Sequence, residues 1–373
     1  MTAQVNAAEH REPLVRIAKR TDISRGKSWA IRAAAIVLAL LLGALIMLLL
    51  GHNPIMVYAD MVRGSLGTQT GRRETVKIAV PLLGAAVAIA PAFLMKFWNI
   101  GAEGQILAGG IAATYFALFW ADSLPRVPLL IVMFLAAAVA GAVWGLIPAF
   151  FKARWGTNET LFTLMLNYIA LGIEQYLQNG PWKDTKGTGF PIIAQFATNA
   201  RLPKVLGVHA GWIIVLIFVV LMFLYLRYTK QGYEIAVVGE SEATARYSGM
   251  SVPKIVMRTM CISGAIAGIV GFTVVSGADY TLNANTAGGV GFTAITVAWL
   301  AGLNPIIMVF IAAFLAILTK GSGTIQTNFS IPASVADVLT GIILFAMLGC
   351  EFFIRYRLIF SHKSKGKEAA ANG

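Results

Sequence analysis

The sequence predicts an all-α protein that crosses a membrane many times, and three features indicate this. Its 373 residues are 57% hydrophobic and only 13% charged, with a mean hydropathy of +0.73, whereas soluble domains carry about 25% charged residues. Several apolar runs, such as Trp29–Gly51 and Gly211–Thr229, reach the length of about 20 residues that a membrane-spanning helix needs. The basic residues lie mostly between and beyond these runs.

We predict about ten membrane-spanning helices. In chain order they cover residues 29–51, 77–96, 101–121, 127–150, 158–178, 211–229, 255–276, 288–303, 304–320 and 333–353. The segments 288–303 and 304–320 are unusually short and meet at Asn304-Pro305. The first segment follows a long polar stretch and lacks the features of a cleaved signal peptide, so we expect an uncleaved first helix.

Both termini are expected in the cytoplasm. In this orientation 20 of the 30 Lys and Arg residues lie inside and 10 outside, as the positive-inside rule requires; the external loop with Arg72 and Arg73 fits it least well. The chain then has a basic cytoplasmic N-terminal extension (1–28), a transmembrane domain (29–353) and a basic cytoplasmic tail (354–373).

Two connections inside the transmembrane domain are long. Residues 179–210 form an external loop that either lies across the mouth of a pathway or simply joins two helix ends. Residues 230–254 form a cytoplasmic loop.

Glycine-rich breaks occur once in each half of the chain. Ten segments divide into five and five, and an odd number in each half predicts an inverted pseudo-repeat. The first break is WNIGAEGQILAGG, residues 98–110, and the second lies in AGGVGFTAITVAWLAG, residues 287–302. Paired breaks of this kind indicate a transport site in the middle of the membrane.

Four polar residues near the first break are candidates for a translocation pathway: Asn99, Glu103, Gln105 and Asn167. A structural role is an open alternative, because Asn99 can cap a helix and Glu103 would then sit in its first turn, where the helix dipole favours an anion. Lys96 is a possible ion-pair partner for Glu103. Asn167 either joins two helices by hydrogen bonds or lines the pathway.

Enzymatic and nucleic-acid-binding functions are not indicated. The sequence contains no GxxxxGKS/T, HExxH or GxSxG motif, and its two Cys and four His are too scattered for a metal site. The formal charge of +13 is explained by cytoplasmic Lys and Arg. We therefore expect the chain to bind no cofactor and no nucleic acid, and to be surrounded by membrane lipid.

The cytoplasmic loop contains a short charged helix. Glu240, Glu242, Ala243 and Arg246 favour it, and Gly249 is placed to end it as a C-cap. Such a helix between two membrane spans is either a plain surface helix or a docking element for a soluble partner.

Four separated motifs decide between these alternatives. WNIGAEGQILAGG (98–110), TNETLFTLMLNYIA (157–170), GESEATARYSGMSV (239–252) and GVGFTAITVAWLAGLNP (289–305) together resemble the permease subunits of bacterial ABC importers, in the branch of nucleoside and simple-sugar permeases related to the ribose permease. The resemblance covers most of residues 77–353.

This resemblance implies a plasma-membrane importer that moves a nucleoside or related simple sugar by alternating access. The implied partners are an ATP-binding subunit that binds ATP and Mg²⁺, a second permease and an extracytoplasmic or lipoprotein substrate-binding protein. Glu240, Glu242, Ala243, Arg246 and Gly249 would then lie in the coupling region, although the spacing departs from the EAA signature: Gly249 follows Glu242 by seven residues, not six. The alternative from another class is a transporter driven by an ion gradient, with Glu103 or Glu174 carrying the proton.

Overall fold

A computed structural model describes residues 15–19, 24–184, 189 and 191–360, and it is mostly α-helical. Within this part, the helices are α1 Arg25–Leu49, α2 Pro54–Val62, α3 Gln69–Leu94, α4 Ala102–Phe119, α5 Arg126–Trp155, α6 Glu159–Asn179, α7 Gly211–Tyr228, α8 Lys230–Glu240, α9 Glu242–Tyr247, α10 Val252–Thr273, α11 Val290–Leu300, α12 Pro305–Phe329 and α13 Ala333–Arg355. Each of the ten predicted segments overlaps one of these helices.

Short elements complete the described chain. The strands are β1 Val15–Lys19, β2 Lys204–Val205, β3 Val208–His209 and β4 Tyr356–Phe360, π-helical turns cover Arg63–Gly67 and Val274–Asp279, and a 3₁₀ turn covers Thr198–Ala200. Strands β2 and β3 form a small antiparallel hairpin.

The chain forms two compact units. One contains α1, the end of α13 and the antiparallel pair of β1 and β4. The predicted N-terminal extension and C-terminal tail thus each contribute a strand, while residues 1–14, 20–23 and 361–373 of these two regions lie outside the described part. The other unit, residues 52–340, contains every candidate site residue.

Five described helices are long and apolar enough to cross a bilayer, judged by length and composition. They are α3, α5, α7, α10 with its π-helical extension, and α12, and a sixth span results if Ala33–Leu49 and Pro54–Gly67 are taken together. The helices α4, α6 and α11 are shorter or more polar. The protein is therefore a polytopic helical membrane protein, while ten crossings and cytoplasmic termini stay predictions.

Two predicted boundaries are wrong. Helix α12 extends to Phe329 and includes Lys320, so of the two predicted short segments α11 alone is short. Helix α3 begins at Gln69, where the Thr68 hydroxyl accepts a hydrogen bond from Gly71 N at 2.9 Å, and α2 precedes it. The predicted cytoplasmic loop 230–254 contains α8 and α9, and α9 lies where the sequence predicts a short charged helix.

Helix α10 lies between α4 and α5 along a seam of glycines. A methyl group at Gly268 would overlap the carbonyl oxygen of Ala137 and lie 3.0 Å from Gly141 Cα, and one at Gly264 would overlap the carbonyl of Gly141. On the opposite side, Gly109 of α4 faces Gly268. Small residues allow such close backbone approach, on which van der Waals packing between membrane helices depends.

The loop between α6 and α7, predicted to be external, packs into the core. Ile193, Phe196 and Leu202 are buried in one hydrophobic cluster with residues of α4, α5 and α10. Phe196 N donates to Tyr280 O at 2.8 Å, and Leu202 N donates to Ser276 O at 2.9 Å. The loop is therefore attached to the end of α10 and does more than join α6 to α7.

His209 ends the small hairpin in a tight, buried site. Gly211 and Gly277 leave room for its ring, because a methyl group at either position would come within 2.6 Å of the imidazole. Burial, with a contribution from Lys77, lowers the pKa of His209 to about 4. The ring is therefore neutral at physiological pH.

Aromatic clusters lie at two helix ends. Phe150, Phe151, Trp155 and Phe162 contact one another around the end of α5, and Tyr115, Phe119, Trp120 and Trp182 belong to a second group at the end of α4. Trp and Tyr are enriched where membrane helices meet the headgroups. Since α4 and α5 are consecutive helices, these clusters are placed to mark the two opposite surfaces of the bilayer.

Candidate functional site

The first glycine break is held by amide side chains. After α3 ends, the chain is non-helical until Ala102, and Asn99 is fully buried there. Asn99 Oδ1 accepts from Gly101 N at 3.0 Å, and its amide exchanges two 3.3 Å hydrogen bonds with the amide of Gln105. Asn99 Nδ2 also lies 3.3 Å from Ser263 Oγ of α10. The sequence offered Asn99 as the N-cap of this helix. In the structure Gly101 occupies the N-cap position of α4, and Asn99 accepts a hydrogen bond from its amide.

Helix α6 supports the same break. Asn167 Oδ1 accepts from Gly104 N at 2.8 Å, and Asn167 Nδ2 donates to Ile100 O at 2.9 Å. A methyl group at Gly104 would lie 3.0 Å from both Asn167 Oδ1 and Trp144 Nε1. The glycine therefore allows the amide of α6 to reach the backbone of the break, which is the helix-joining role that the sequence left open for Asn167.

The second break produces a half-length helix. Residues 280–289 are non-helical, and α11 has only 11 residues. This segment begins at Tyr280, beside the predicted external loop, and α11 ends at Leu300. Near that end, the Trp299 ring stacks on Trp98 with centroids 5.8 Å apart. Gly288 and Gly289 have φ of +52° and +78°, a conformation that favours glycine. The chain thus returns to the core through a series of turns, and α11 begins after these two left-handed glycines.

Glu103 joins the two breaks directly. Its Oε1 accepts from Gly289 N at 2.6 Å and its Oε2 accepts from Gly291 N at 2.7 Å. The carboxylate therefore caps the N-terminus of α11, where the helix dipole favours an anion. A methyl group at Gly291 would lie 2.5 Å from Glu103 N. These two amides, and not the suggested Lys96, are the partners that the structure gives Glu103.

The four pathway candidates are brought together by these contacts. Asn99, Gln105 and Asn167 are buried within the helix bundle, and Glu103 is half-buried. Their hydrogen bonds are directed at the two breaks and at one another. Ser263 belongs to this network but was missed, because a serine in an apolar run carries no signal in sequence.

The predicted coupling region is a second candidate site, formed by α8 and α9. Ser241 caps α9, Glu242 and Arg246 form an exposed ion pair at 3.5 Å, Ala243 is exposed, and Gly249 follows the helix with φ +77°. Glu240 instead ends α8, so it lies beside the predicted coupling helix. Tyr247, which the sequence did not single out, is 95% exposed at the end of α9.

Helix α9 is packed against the base of the first break. Its Ala245 is buried in a cluster that includes Met95 and Phe97. A cavity of about 230 Å³ lies beside it, lined by Phe97, Glu242 and Arg246 among others. Helix α9 and the residues that lead into the first break therefore pack in the same hydrophobic cluster.

Metal chemistry has no visible site in the described chain: residues 15–19, 24–184, 189 and 191–360 hold no group of three His, Cys, Asp or Glu able to bind an ion. Cys261 and Cys350 form no disulfide with each other, and they lie far apart in sequence.

Comparison with known proteins gives consistent relatives. The family described as "Branched-chain amino acid transport system / permease component" matches residues 75–348. The glucose ABC transporter permease protein TsgB13 of Haloferax volcanii is 35% identical over 90% of each chain. The nucleoside permease NupB of Lactococcus lactis is 34% identical over 90% of this chain and 94% of its own, and the guanosine permease NupP of Bacillus subtilis is 32% identical over 86% and 93%.

Proposed function

We propose, from the premise that this chain belongs to the family of branched-chain amino acid transport system permease components and is a permease subunit of an ABC importer, that it carries nucleosides across the plasma membrane by alternating access. Related simple sugars are the second substrate class. Two relatives named for nucleosides and one named for glucose support this choice, as neutral, ring-containing solutes are common to both classes.

One observation carries the mechanism. The coupling helix α9 packs, through Ala245, in the same cluster as Met95 and Phe97, which lead into the break that Glu103 ties to α11. A movement of α9 would therefore reach both breaks through packed side chains. Coupling between two distant parts of a protein is carried by packed elements that shift between discrete arrangements.

The proposed energy source is a separate ATP-binding subunit. We expect that subunit to grip α8 and α9, a second permease to complete the gate, and a substrate-binding protein to deliver the solute from outside. In this scheme the chain itself contributes a conformational change and no hydrolysis.

Reconstitution into vesicles tests this function. Chain co-expressed with a partner ATPase and a second permease of the same importer should take up labelled uridine, guanosine or glucose only when ATP and the substrate-binding protein are present. Uptake by the isolated chain under a proton or sodium gradient would instead support the gradient-driven alternative.

The exposed ion pair of α9 provides a sharper test of coupling. An exposed pair contributes only about 0.3–0.5 kcal/mol to a helix, so E242A/R246A should leave folding intact. If these side chains contact the ATPase, the number of solutes imported per ATP hydrolysed should fall about tenfold or more. The matched control is Q69A/T70A, which also changes two exposed residues, at the start of α3 and outside the coupling region. Equal coupling ratios in the two double variants would contradict the docking proposal.

A further inference from the structure

Helix α6 exposes a continuous stripe with an unusual composition for a membrane helix. The stripe, called here the tyrosine face, consists of Leu161, Met165, Tyr168, Gly172, Gln175 and Tyr176, and it is bordered on one side by the exposed Ile169 and Ile173. These positions recur at intervals of three and four residues, so they lie on one side of the helix. Tyr168 is 63% exposed and Tyr176 is 69% exposed.

The opposite side of α6 fixes this orientation. Thr163 Oγ1 accepts from Ile100 N at 3.3 Å, and Asn167 binds Ile100 and Gly104. Because these hydrogen bonds attach the buried side to the first break, the helix cannot rotate the tyrosine face inward without losing them. The tyrosine face therefore points away from the chain's own core.

Tyr168 would lie near the middle of the bilayer. Helix α6 has 21 residues, a length of about 31 Å, close to the ~30 Å of the hydrocarbon core. Tyr168 is its tenth residue. A hydroxyl without a hydrogen-bond partner in hydrocarbon costs several kcal/mol, and tyrosine in membrane helices prefers the interfaces. Contact with lipid at this depth is therefore unfavourable.

Other helices of the same chain show what a lipid-facing surface looks like. The exposed positions near the middle of these helices include Leu135, Val139 and Val143 on α5, and Val220 and Leu221 on α7. All five side chains are aliphatic and have no polar atom to satisfy. Helices α5 and α7 also have the length and composition expected of a membrane span, whereas α6 does not.

We infer that Tyr168, Gln175 and Tyr176 line the water-filled translocation pathway and contact the solute as it passes. This inference rests on the proposed function and names the surface that performs it. Water satisfies the phenol and amide groups there. Aromatic rings offer stacking faces to a nucleobase or to the C–H face of a sugar, and the absence of charge on the tyrosine face suits a neutral solute.

The pathway therefore lies on a different side of α6 from Asn167. The amides of Asn99, Gln105 and Asn167 hold the broken backbone, while the tyrosine face meets the solute. The spacing of Tyr168 and Tyr176, eight residues, corresponds to about 12 Å along the helix, which is enough for a solute to be passed from one ring to the next.

Cysteine labelling in the assembled importer tests this inference. A membrane-impermeant thiol reagent should label Y168C and Y176C at least tenfold faster than L135C and V139C, with the unsubstituted chain as blank for Cys261 and Cys350. Excess uridine or glucose should slow the labelling of Y168C, and labelled Y168C should lose at least tenfold in uptake. The variant Y168F should keep the ring contacts and lose less than Y168A.

Labelling of Y168C no faster than that of L135C would overturn the inference, because the face would then be in lipid. The inference would also be overturned if Y168C formed a disulfide with a cysteine of a neighbouring permease and the reagent did not label it. The tyrosine face would then be a dry contact between proteins. Labelling requires no energy source. Fast labelling combined with ATP-independent uptake would therefore refute the proposed ABC mechanism while keeping the pathway.

Discussion

Replacing Gly268 with leucine should prevent the chain from forming its folded bundle. A side chain at this position would overlap the carbonyl oxygen of Ala137 and crowd Gly141 Cα, so α5 and α10 would have to separate. Overpacking of a core commonly costs about 1–3 kcal/mol and sometimes more, and here the obstructing atoms belong to the backbone, which cannot change rotamer. We expect little monodisperse protein after detergent extraction and no uptake.

The control for this prediction is the same substitution at Gly323 of α12. Gly323 has no heavy atom within 4 Å of an added Cβ, so G323L should fold with a melting temperature near that of the original chain. The milder G268A should lower the melting temperature while G323A leaves it unchanged or raises it. Equal behaviour of the two positions would show that the glycine seam does not govern packing.

Replacing Glu103 with alanine should abolish uptake by releasing α11 from the first break. The substitution removes two hydrogen bonds of 2.6 and 2.7 Å, and bonds to a charged group contribute roughly 1.5–3 kcal/mol each. It also leaves the amides of Gly289 and Gly291 without these acceptors. E103Q retains one acceptor oxygen and should be less impaired. The measurements are uptake and the melting temperature of the purified chain.

A double-mutant cycle distinguishes this positioning role from direct contact with the solute. G291A places a methyl group against Glu103 N and should disturb the same contact, so the losses of melting temperature in E103A and G291A should combine with much less than additive effect. If Glu103 instead contacts the solute or carries a proton, E103A will abolish uptake without lowering the melting temperature.

The helix boundaries show where sequence patterns succeed and where they mislead. Apolar runs located all ten predicted segments, because each run is a property of consecutive residues. The end of α12 was predicted too early, since Lys320 and the hydroxyl residues after it resemble a loop. In the structure Thr319, Ser322 and Thr324 donate to carbonyls of the preceding turn, so their polar groups are satisfied within the helix.

The start of α3 was misjudged for a related reason. Arg72, Arg73, Glu74 and Lys77 look like a charged loop, yet Thr68 caps the helix and Glu74 pairs with Lys77 at 3.4 Å. Charges near a helix end are compatible with the helix when local partners exist, and composition alone does not reveal such partners.

By itself, the sequence determined that this chain is a helical membrane protein of the ABC permease type and that it is broken by glycines in each half. Those properties depend on local composition, glycine content and motif order, all of which can be seen along one dimension. Only the tertiary structure decided that Glu103 closes the two breaks onto each other, that Asn99 and Asn167 support backbone, and that Tyr168 faces outward. A side chain's role inside a bundle depends on which residue distant in sequence satisfies its polar atoms, and the packing of α4, α6, α10 and α11 settles that choice.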